Sequence, residues 1–463
     1  MPSNFTLERT AGSHTLAAAL TMSVRCTEPC SGSNGDAIVR ARHEVRAVND
    51  GSESEPRYAR VMAAIGTTLV AMNFGAFGSI PVFLKPVSAE FAWPRGATSL
   101  AYTIGTLAIA SGGIVWARLA DRRGTRPVVL VGALAQPAAL FLLSGLGSLP
   151  EFYLFYTLLG GVGFAAVNVS IIANVGLWFT HNKGLALGIV SAGGALGQGV
   201  VPFVAAQLIS ASGWRSAYLT LAVAYLLVGL PLTLMVRTPP PLAGPARGGA
   251  ASGAGAHFPL SPVTAVTWLS AAAIFCCVTM AVPIVHTVSM LTDRGVPYAD
   301  AVRVFFVIMV SGVLGRVILG KLTDRLGGLR SYLLTSALQT ILLFWFTRLR
   351  SLPALYLLSA LFGIGFSGVM TALWVCVREL VPARLAATSL AVVVFFGWVG
   401  MGLGGWHGGH VFDLTGGYTR AYADATLAGI VNLIIVGALI RRVRRAAPAP
   451  QVHPSPSPVG NNR

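Results

Sequence analysis

The chain has 463 residues, 54% of them hydrophobic and only 11% charged, with a mean hydropathy of +0.70. Soluble globular chains carry roughly 25% charged residues, so a water-soluble fold is excluded. The formal net charge of +17 does not signal nucleic acid, because the basic residues recur in short loops between apolar runs rather than in one folded patch.

Residues 1–57 are rich in Ser, Gly and charge, and their one apolar patch, "TLAAALTMSV", is too short to span a bilayer. They are expected to form a disordered cytoplasmic tail. Twelve apolar runs follow, near 59–83, 98–118, 127–147, 152–178, 184–208, 215–236, 264–291, 299–319, 329–347, 353–377, 386–407 and 422–440. Each is long enough to cross a hydrocarbon layer of about 30 Å as a helix. Helices are required, since backbone groups in lipid must be satisfied within the segment and the alternating pattern of a barrel is missing. The sixth and seventh runs are joined by "RTPPPLAGPARGGAASGAGAHFPLSP", a stretch too rich in Pro, Gly and Ala to build a core. The expected organisation is a six-helix bundle over 58–237, a cytoplasmic linker over 238–262, a second six-helix bundle over 263–445 and a disordered cytoplasmic tail over 446–463. Loops on the linker side carry roughly twice as many Lys and Arg as the loops opposite, which places both termini in the cytoplasm.

The two halves echo each other. "RLADRRGTR" at 118–126 is answered by "KLTDRLGGLR" at 321–330, "GVGF" at 161–164 by "GIGF" at 363–366, and "GWRSAY" at 213–218 by "GGYTRAY" at 416–422. All three pairs share nearly one offset, so the sequence reads as a six-plus-six duplication.

An acidic-basic loop after the second helix of each half resembles the major facilitator superfamily, and the resemblance covers residues 57–445. The loop motif of that family reads G-x-x-x-D-R-x-G-R-R. The second copy keeps Gly320, Asp324, Arg325 and Gly327; the first keeps Asp121, Arg122, Gly124 and Arg126 but has Ala117 at the opening position. The resemblance implies twelve transmembrane helices in two pseudo-symmetric bundles, and a loop that latches the cytoplasmic side of the outward-facing state. Small residues at the first motif position would let helices approach closely, and each Asp could accept bonds from a neighbouring helix N-terminus or Arg. Three further stretches, "PVSAEFAWPRGATSLAYT" at 86–103, "WFTHNKGLALGIVSAGGALGQGVVP" at 178–202 and "GHVFDLTGGYTRAY" at 409–422, are similar to the monocarboxylate and oxalate:formate porter branch.

Of the sixteen acidic residues none falls deep within an apolar run, whereas Arg316 does. It precedes Asp324 by eight residues, roughly 12 Å along a helix at about 1.5 Å per residue. Burying a guanidinium in a bilayer costs several kcal/mol unless it meets a wet cavity or an anion. Snorkelling to the headgroups is the bland alternative, but Lys321 and Arg325 already stand there. In monocarboxylate transporters the eighth helix carries an R-x-x-x-G pattern whose Arg holds the substrate carboxylate, and Arg316 with Gly320 matches it. The acidic residue expected one turn earlier is Gly312, the Lys of the family's first helix falls on Gly78, and residues 386–407 hold no Lys or Arg. With one cation, a monoanion suits the cavity better than a dicarboxylate.

His286 could donate to a carboxylate or titrate during transport. Asn73, Phe77, Tyr102, Asn168, Trp374, Phe395 and Trp398 are the other expected substrate-binding residues, lying on helices that line the cavity in the family. His407 and His410 are spaced for a metal pair but have no third ligand. The five cysteines form no framework, no nucleophile-base constellation exists, and neither metal nor cofactor is expected. The sequence reads as a monomeric multi-pass carrier of the cell membrane and not an enzyme. Its cargo is expected to be a small organic anion, with a proton or counter-anion as possible co-substrate and membrane lipid as the surrounding partner. An exporter of drugs or of neutral or cationic metabolites is the alternative.

Overall fold

The computed structural model describes residues 57–179, 183–238 and 258–446; the expected tails at 1–57 and 446–463, but for residues 57 and 446, and most of the 238–262 linker lie outside these residues. Every regular element among the described residues is a helix. They are α1 (Arg57–Phe77), α2 (Ile80–Glu90), α3 (Arg95–Arg123), α4 (Thr125–Ser144), α5 (Leu149–Thr157), a π-helical segment (Leu158–Phe164), α6 (Ala165–Trp178), α7 (Lys183–Leu234), α8 (Pro262–Asp293), α9 (Tyr298–Leu326), α10 (Gly328–Trp345), α11 (Leu352–Leu380), α12 (Ala383–Thr415) and α13 (Thr419–Ala446).

Ten of the resulting helical stretches are long and apolar enough to cross a membrane, where the sequence predicted twelve. Two local features account for the difference. The stretch Gly184–Leu234 runs 51 residues because the reversal in α7 takes a single residue, Gly213, whose φ of 83° is non-helical. Helix α10 has only 18 residues and is diluted by Arg330, Gln339 and several hydroxyl side chains. The first stretch, Tyr58–Glu90, extends beyond the expected end at 83. Its continuity is interrupted at Gly78 and Ser79, after which α2 starts at Ile80 with Pro81 in its first turn; proline suits a first helical turn because its missing N–H would have no partner there.

The loop glycines of the repeated motif have a backbone reason. Gly124 separates α3 from α4 at φ 86° and Gly327 separates α9 from α10 at φ 78°, a region that a side-chain-bearing residue enters only under strain. Helices of the two halves also pack in matched pairs. A Cβ on Gly197 of α7 would collide with the backbone carbonyl of Ala71 in α1; a Cβ on Gly400 of α12 would collide with that of Ile274 in α8. Both members are displaced by 203 positions, the spacing of Asp121 and Asp324. Gly160 against Gly105 and Gly363 against Ile308 repeat the arrangement at the same displacement. In lipid, helices associate through such backbone approaches because apolar side chains gain little by leaving apolar solvent.

Helices before residue 239 meet those after 257 mainly through α3 with α12 and α7 with α9. The polar contacts across this seam concentrate at the end of the molecule opposite the motif loops, the far face. Tyr298 Oη donates to Val82 O at 3.1 Å, Thr103 Oγ1 to Gly402 O at 2.7 Å, and Lys85 Nζ to Thr292 Oγ1 at 3.1 Å. At the motif face, no hydrogen bond or ion pair joins the two sets of helices among the described residues.

The close approach at Gly197 makes a specific demand. Gly197→Val should destabilise the fold by about 1–3 kcal/mol or more, the usual range for overpacking, because the obstacle is backbone rather than a mobile side chain. Thermal unfolding of purified protein in detergent checks this. Gly437→Ala, where an added Cβ meets nothing within 4 Å, should leave the midpoint unchanged.

Candidate functional site

A cavity of about 230 Å³ lies between the two sets of helices. Its wall is assembled from single faces of α1, α3, α6, α7, α8, α9, α11 and α12. Val70, Phe74 and Phe77 form an i, i+4, i+7 stripe on α1, Phe366, Met370 and Trp374 an i, i+4, i+8 stripe on α11, and Val394, Gly397, Trp398 and Met401 an i, i+3, i+4, i+7 stripe on α12. Arg316 is the one charged residue among the described lining residues, and no carboxylate stands with it. Its Nη1 reaches across the seam to the carbonyl oxygen of Ser191 on α7 and lies 3.4 Å from that residue's hydroxyl. Both partners are neutral. The side chain therefore turns sideways into the cavity instead of along α9 towards the motif loops.

Polar groups near Arg316 include Asn168, whose Oδ1 as assigned is buried without a hydrogen-bond partner among the described residues. Gln198, Ser367, Thr371 and Tyr102 also line the wall. The remainder is aromatic or thioether. Phe77 and Tyr102 rings lie 5.2 Å apart, and Phe164 on one side of the seam meets Trp398 on the other at 5.6 Å.

Six of the nine expected substrate-binding residues come together here: Arg316, Phe77, Tyr102, Asn168, Trp374 and Trp398. Three do not. His286 is fully buried between α8 and α12, with Nε2 2.7 Å from Gly405 O and its ring 5.1 Å from that of Tyr418. Asn73 accepts from Gln136 Nε2 and donates to Phe164 O at 3.4 Å, tying α1 to α4 and the π segment. Phe395 sits one helical step off the α12 stripe and packs edge-on against Phe396. Lining residues that sequence reasoning did not name include Phe74, Ser191, Met280, Ile284, Met370, Thr371 and Met401. The same i, i+3, i+4 register as their neighbours was the available signal. A wider groove of about 490 Å³ opens between α1 and α7, with Arg60, Thr67 and Thr68 as the polar residues of an otherwise apolar wall.

The far face above the cavity is clamped by charge. Arg95 pairs with Asp293 in a two-pronged contact and donates to Tyr418 Oη at 3.0 Å; its guanidinium lies 3.9 Å over the Phe412 ring. Lys85 pairs with the same Asp293 at 2.9 Å. Asp413 on α12 caps the start of α3, accepting from the backbone N–H of Arg95 at 2.9 Å and of Gly96 at 2.7 Å; a carboxylate suits the positive end of a helix. His407 pairs with Asp424 at 3.1 Å while His410 stacks on Trp406, so the two histidines do not converge. Among the described residues no group of three or more His, Cys, Asp or Glu is placed to hold a metal ion.

The sequence profile of the Major Facilitator Superfamily matches residues 63–405. The chain belongs to that superfamily. Monocarboxylate transporter 13 of Bos taurus is 26% identical over 376 residues, spanning 80% of this chain and 86% of that protein. The uncharacterized MFS-type transporter YcxA of Bacillus subtilis (strain 168) is 25% identical over 389 residues, spanning 80% and 93%. Among solved structures, a bacterial homolog of the human lysosomal transporter Spinster in an inward-facing, unoccupied conformation superposes with a TM-score of 0.65 at 18% identity, covering 86% of this chain and all of that one. The structural likeness establishes the fold, and the sequence relatives place this superfamily member near the monocarboxylate porters.

The superfamily motif is open in this conformation. Asp121, Arg122, Arg126, Asp324 and Arg325 are exposed, and none has an ion-pair partner among the described residues. Gly320 faces open space rather than a close helix. The expected cap of a neighbouring helix start is made by Glu379 of α11 instead of by Asp324: its two carboxylate oxygens accept from Gly328 N–H at 2.9 and 3.0 Å.

The clamp yields a graded expectation. Arg95 is only 14% exposed and Lys85 38%, so the two ion pairs made by Asp293 differ in weight. Asp293→Asn should cost about 1.5–3 kcal/mol, the range for a hydrogen bond to a charged group, whereas Lys85→Ala should cost under about 1 kcal/mol. Thermal unfolding midpoints of the two variants at low and high salt check the order.

Proposed function

We propose that this superfamily member is a secondary carrier of a small organic monoanion, working by alternating access. Two six-helix bundles, 58–237 and 263–445, joined through 238–262, supply twelve spans: α7 counts as two about Gly213, and the short α10 completes the second bundle. Loop basicity supports a cell-membrane orientation with both termini and the motif face in the cytoplasm. The conformation then reads as inward-facing, with the far face clamped and the motif latch of Asp121, Gly124, Asp324 and Gly327 disengaged until the bundles rock outward. A proton or a counter-anion is the co-substrate that fits this reading.

One observation carries it: among the described residues Arg316 is the single charge in the cavity wall, and its protein hydrogen bonds end on a neutral residue. A guanidinium held away from bulk water without a counter-charge is costly, and an anionic cargo supplies that charge in a bidentate geometry that an Arg is built to hold. The relation to Monocarboxylate transporter 13 supports a carboxylate as the anion.

The test is transport by proteoliposomes with labelled monocarboxylates. Arg316→Gln should reduce uptake at least about 30-fold, from the loss of about 2–5 kcal/mol that accompanies truncation of a buried charge pair, while insertion and elution profile remain those of the parent. Arg316→Lys should retain partial uptake, since charge survives but the fork geometry does not. Undiminished transport by the Gln variant would sink the assignment.

A further inference from the structure

We propose that the cargo is an arylalkanoate: a ring-sized apolar body carrying one carboxylate on a short arm. This rests on the organic-anion reading of the same cavity and narrows it by volume, wall chemistry and the placement of polar groups.

An apolar cavity of about 150 Å³ accepts a benzene ring. The cavity here measures about 230 Å³, leaving roughly 80 Å³, or two to three heavy-atom groups at the about 30 Å³ that one water occupies in the liquid. A methylene and a carboxylate fill that remainder. Acetate or lactate would leave most of the volume empty or wet against apolar wall.

The one cation among the described lining residues stands off-centre in depth. Arg316 lies ten residues before the motif-face end of α9 and Ser191 eight residues after the motif-face start of α7. Tyr102 lies seven residues from the far-face start of α3 and Ile284 nine from the far-face end of α8. The carboxylate therefore seats towards the motif face, and the body points towards the clamped end. There Phe77, Tyr102, Met280, Ile284, Trp398 and Met401 surround it. Aromatic side chains favour ring partners presented edge-on or offset, and thioethers pack well on ring edges, so a ring exploits this wall better than a branched alkyl group.

Charge sets what is rejected. A dicarboxylate would bring a second anion to a wall with one cation, and an aromatic amino acid would bring an ammonium to a wall with no carboxylate. A neutral amide of the same shape would leave Arg316 without its counter-charge.

Ligand-dependent thermal stabilisation of the full-length purified protein tests this without reference to coupling ion or direction of transport. Phenylacetate should stabilise at concentrations at least tenfold below those needed with lactate. Succinate, phenylalanine and phenylacetamide should not stabilise at tenfold higher concentration. Met401→Trp, which fills the deep end, should lower the phenylacetate-to-acetate preference at least tenfold in protein that elutes as a single species. Equal or stronger stabilisation by lactate, abolished by Arg316→Gln, would overturn the ring-sized class and leave the organic-anion reading standing. Stabilisation by phenylacetate or phenylacetamide that survives Arg316→Gln undiminished would overturn the organic-anion reading itself.

Discussion

Charge placement in a layer without water governs this molecule. Every acidic residue among the described residues stands at or near a helix end, where headgroups, loop amides or basic partners can meet it: Asp413 on two N–H groups of α3, Glu379 on the start of α10, Asp293 between Arg95 and Lys85. Arg316 breaks that pattern. Its contacts to Ser191 satisfy some of its donors but none of its charge, and no carboxylate stands with it among the described lining residues.

The same constraint shapes the scaffold that holds the cavity. With apolar side chains gaining nothing by leaving lipid, helix pairs must be held by backbone proximity and by hydrogen bonds between polar side chains. Gly197 on Ala71 and Gly400 on Ile274 supply the first, at one repeated displacement; Gln136 with Asn73, and Tyr332 with Asn432, supply the second. These contacts lie within each half of the chain. Apart from the Arg316–Ser191 bond, the seam between halves is joined by ion pairs and single hydrogen bonds towards the far face, contacts that can exchange water for protein without dismantling either half.

Much of this was legible from residues. The apolar runs, the motif turns at Gly124 and Gly327, the duplication and the exceptional position of Arg316 all follow from pattern and charge. The site was legible where a polar or bulky aromatic residue stood out, as with Tyr102, Asn168, Trp374 and Trp398. It was not legible from composition for Phe74, Met280, Ile284 and Met401, where only helical register with a named neighbour marks them, because in a membrane protein both the lipid side and the protein side of a helix are apolar and amphipathic contrast disappears. Asn73 and His286 misled for a related reason. A polar side chain in lipid needs a partner, and sequence does not say whether that partner is a cargo or a neighbouring helix; here Gln136 and the Gly405 carbonyl serve.

The bond from Arg316 to Ser191 crosses the seam between α9 and α7, so the residue proposed to hold the cargo also holds the two halves to each other. An arriving carboxylate competes for the same guanidinium donors. In the proposed carrier, occupancy would thus loosen one cross-seam tie at mid-depth, while the clamp of Arg95 and Lys85 on Asp293 still fastens the far face. Rocking outward requires that clamp to break and the motif loops to close. The free energy for it must come from contacts the cargo makes better in the closed intermediate than in this open one, since a ligand shifts a conformational balance only by its difference in affinity for the two states. Aromatic residues on both sides of the seam, Phe77 and Tyr102 on one and Trp398 on the other, are placed to provide that difference: drawing the two walls together increases their contact with one bound ring.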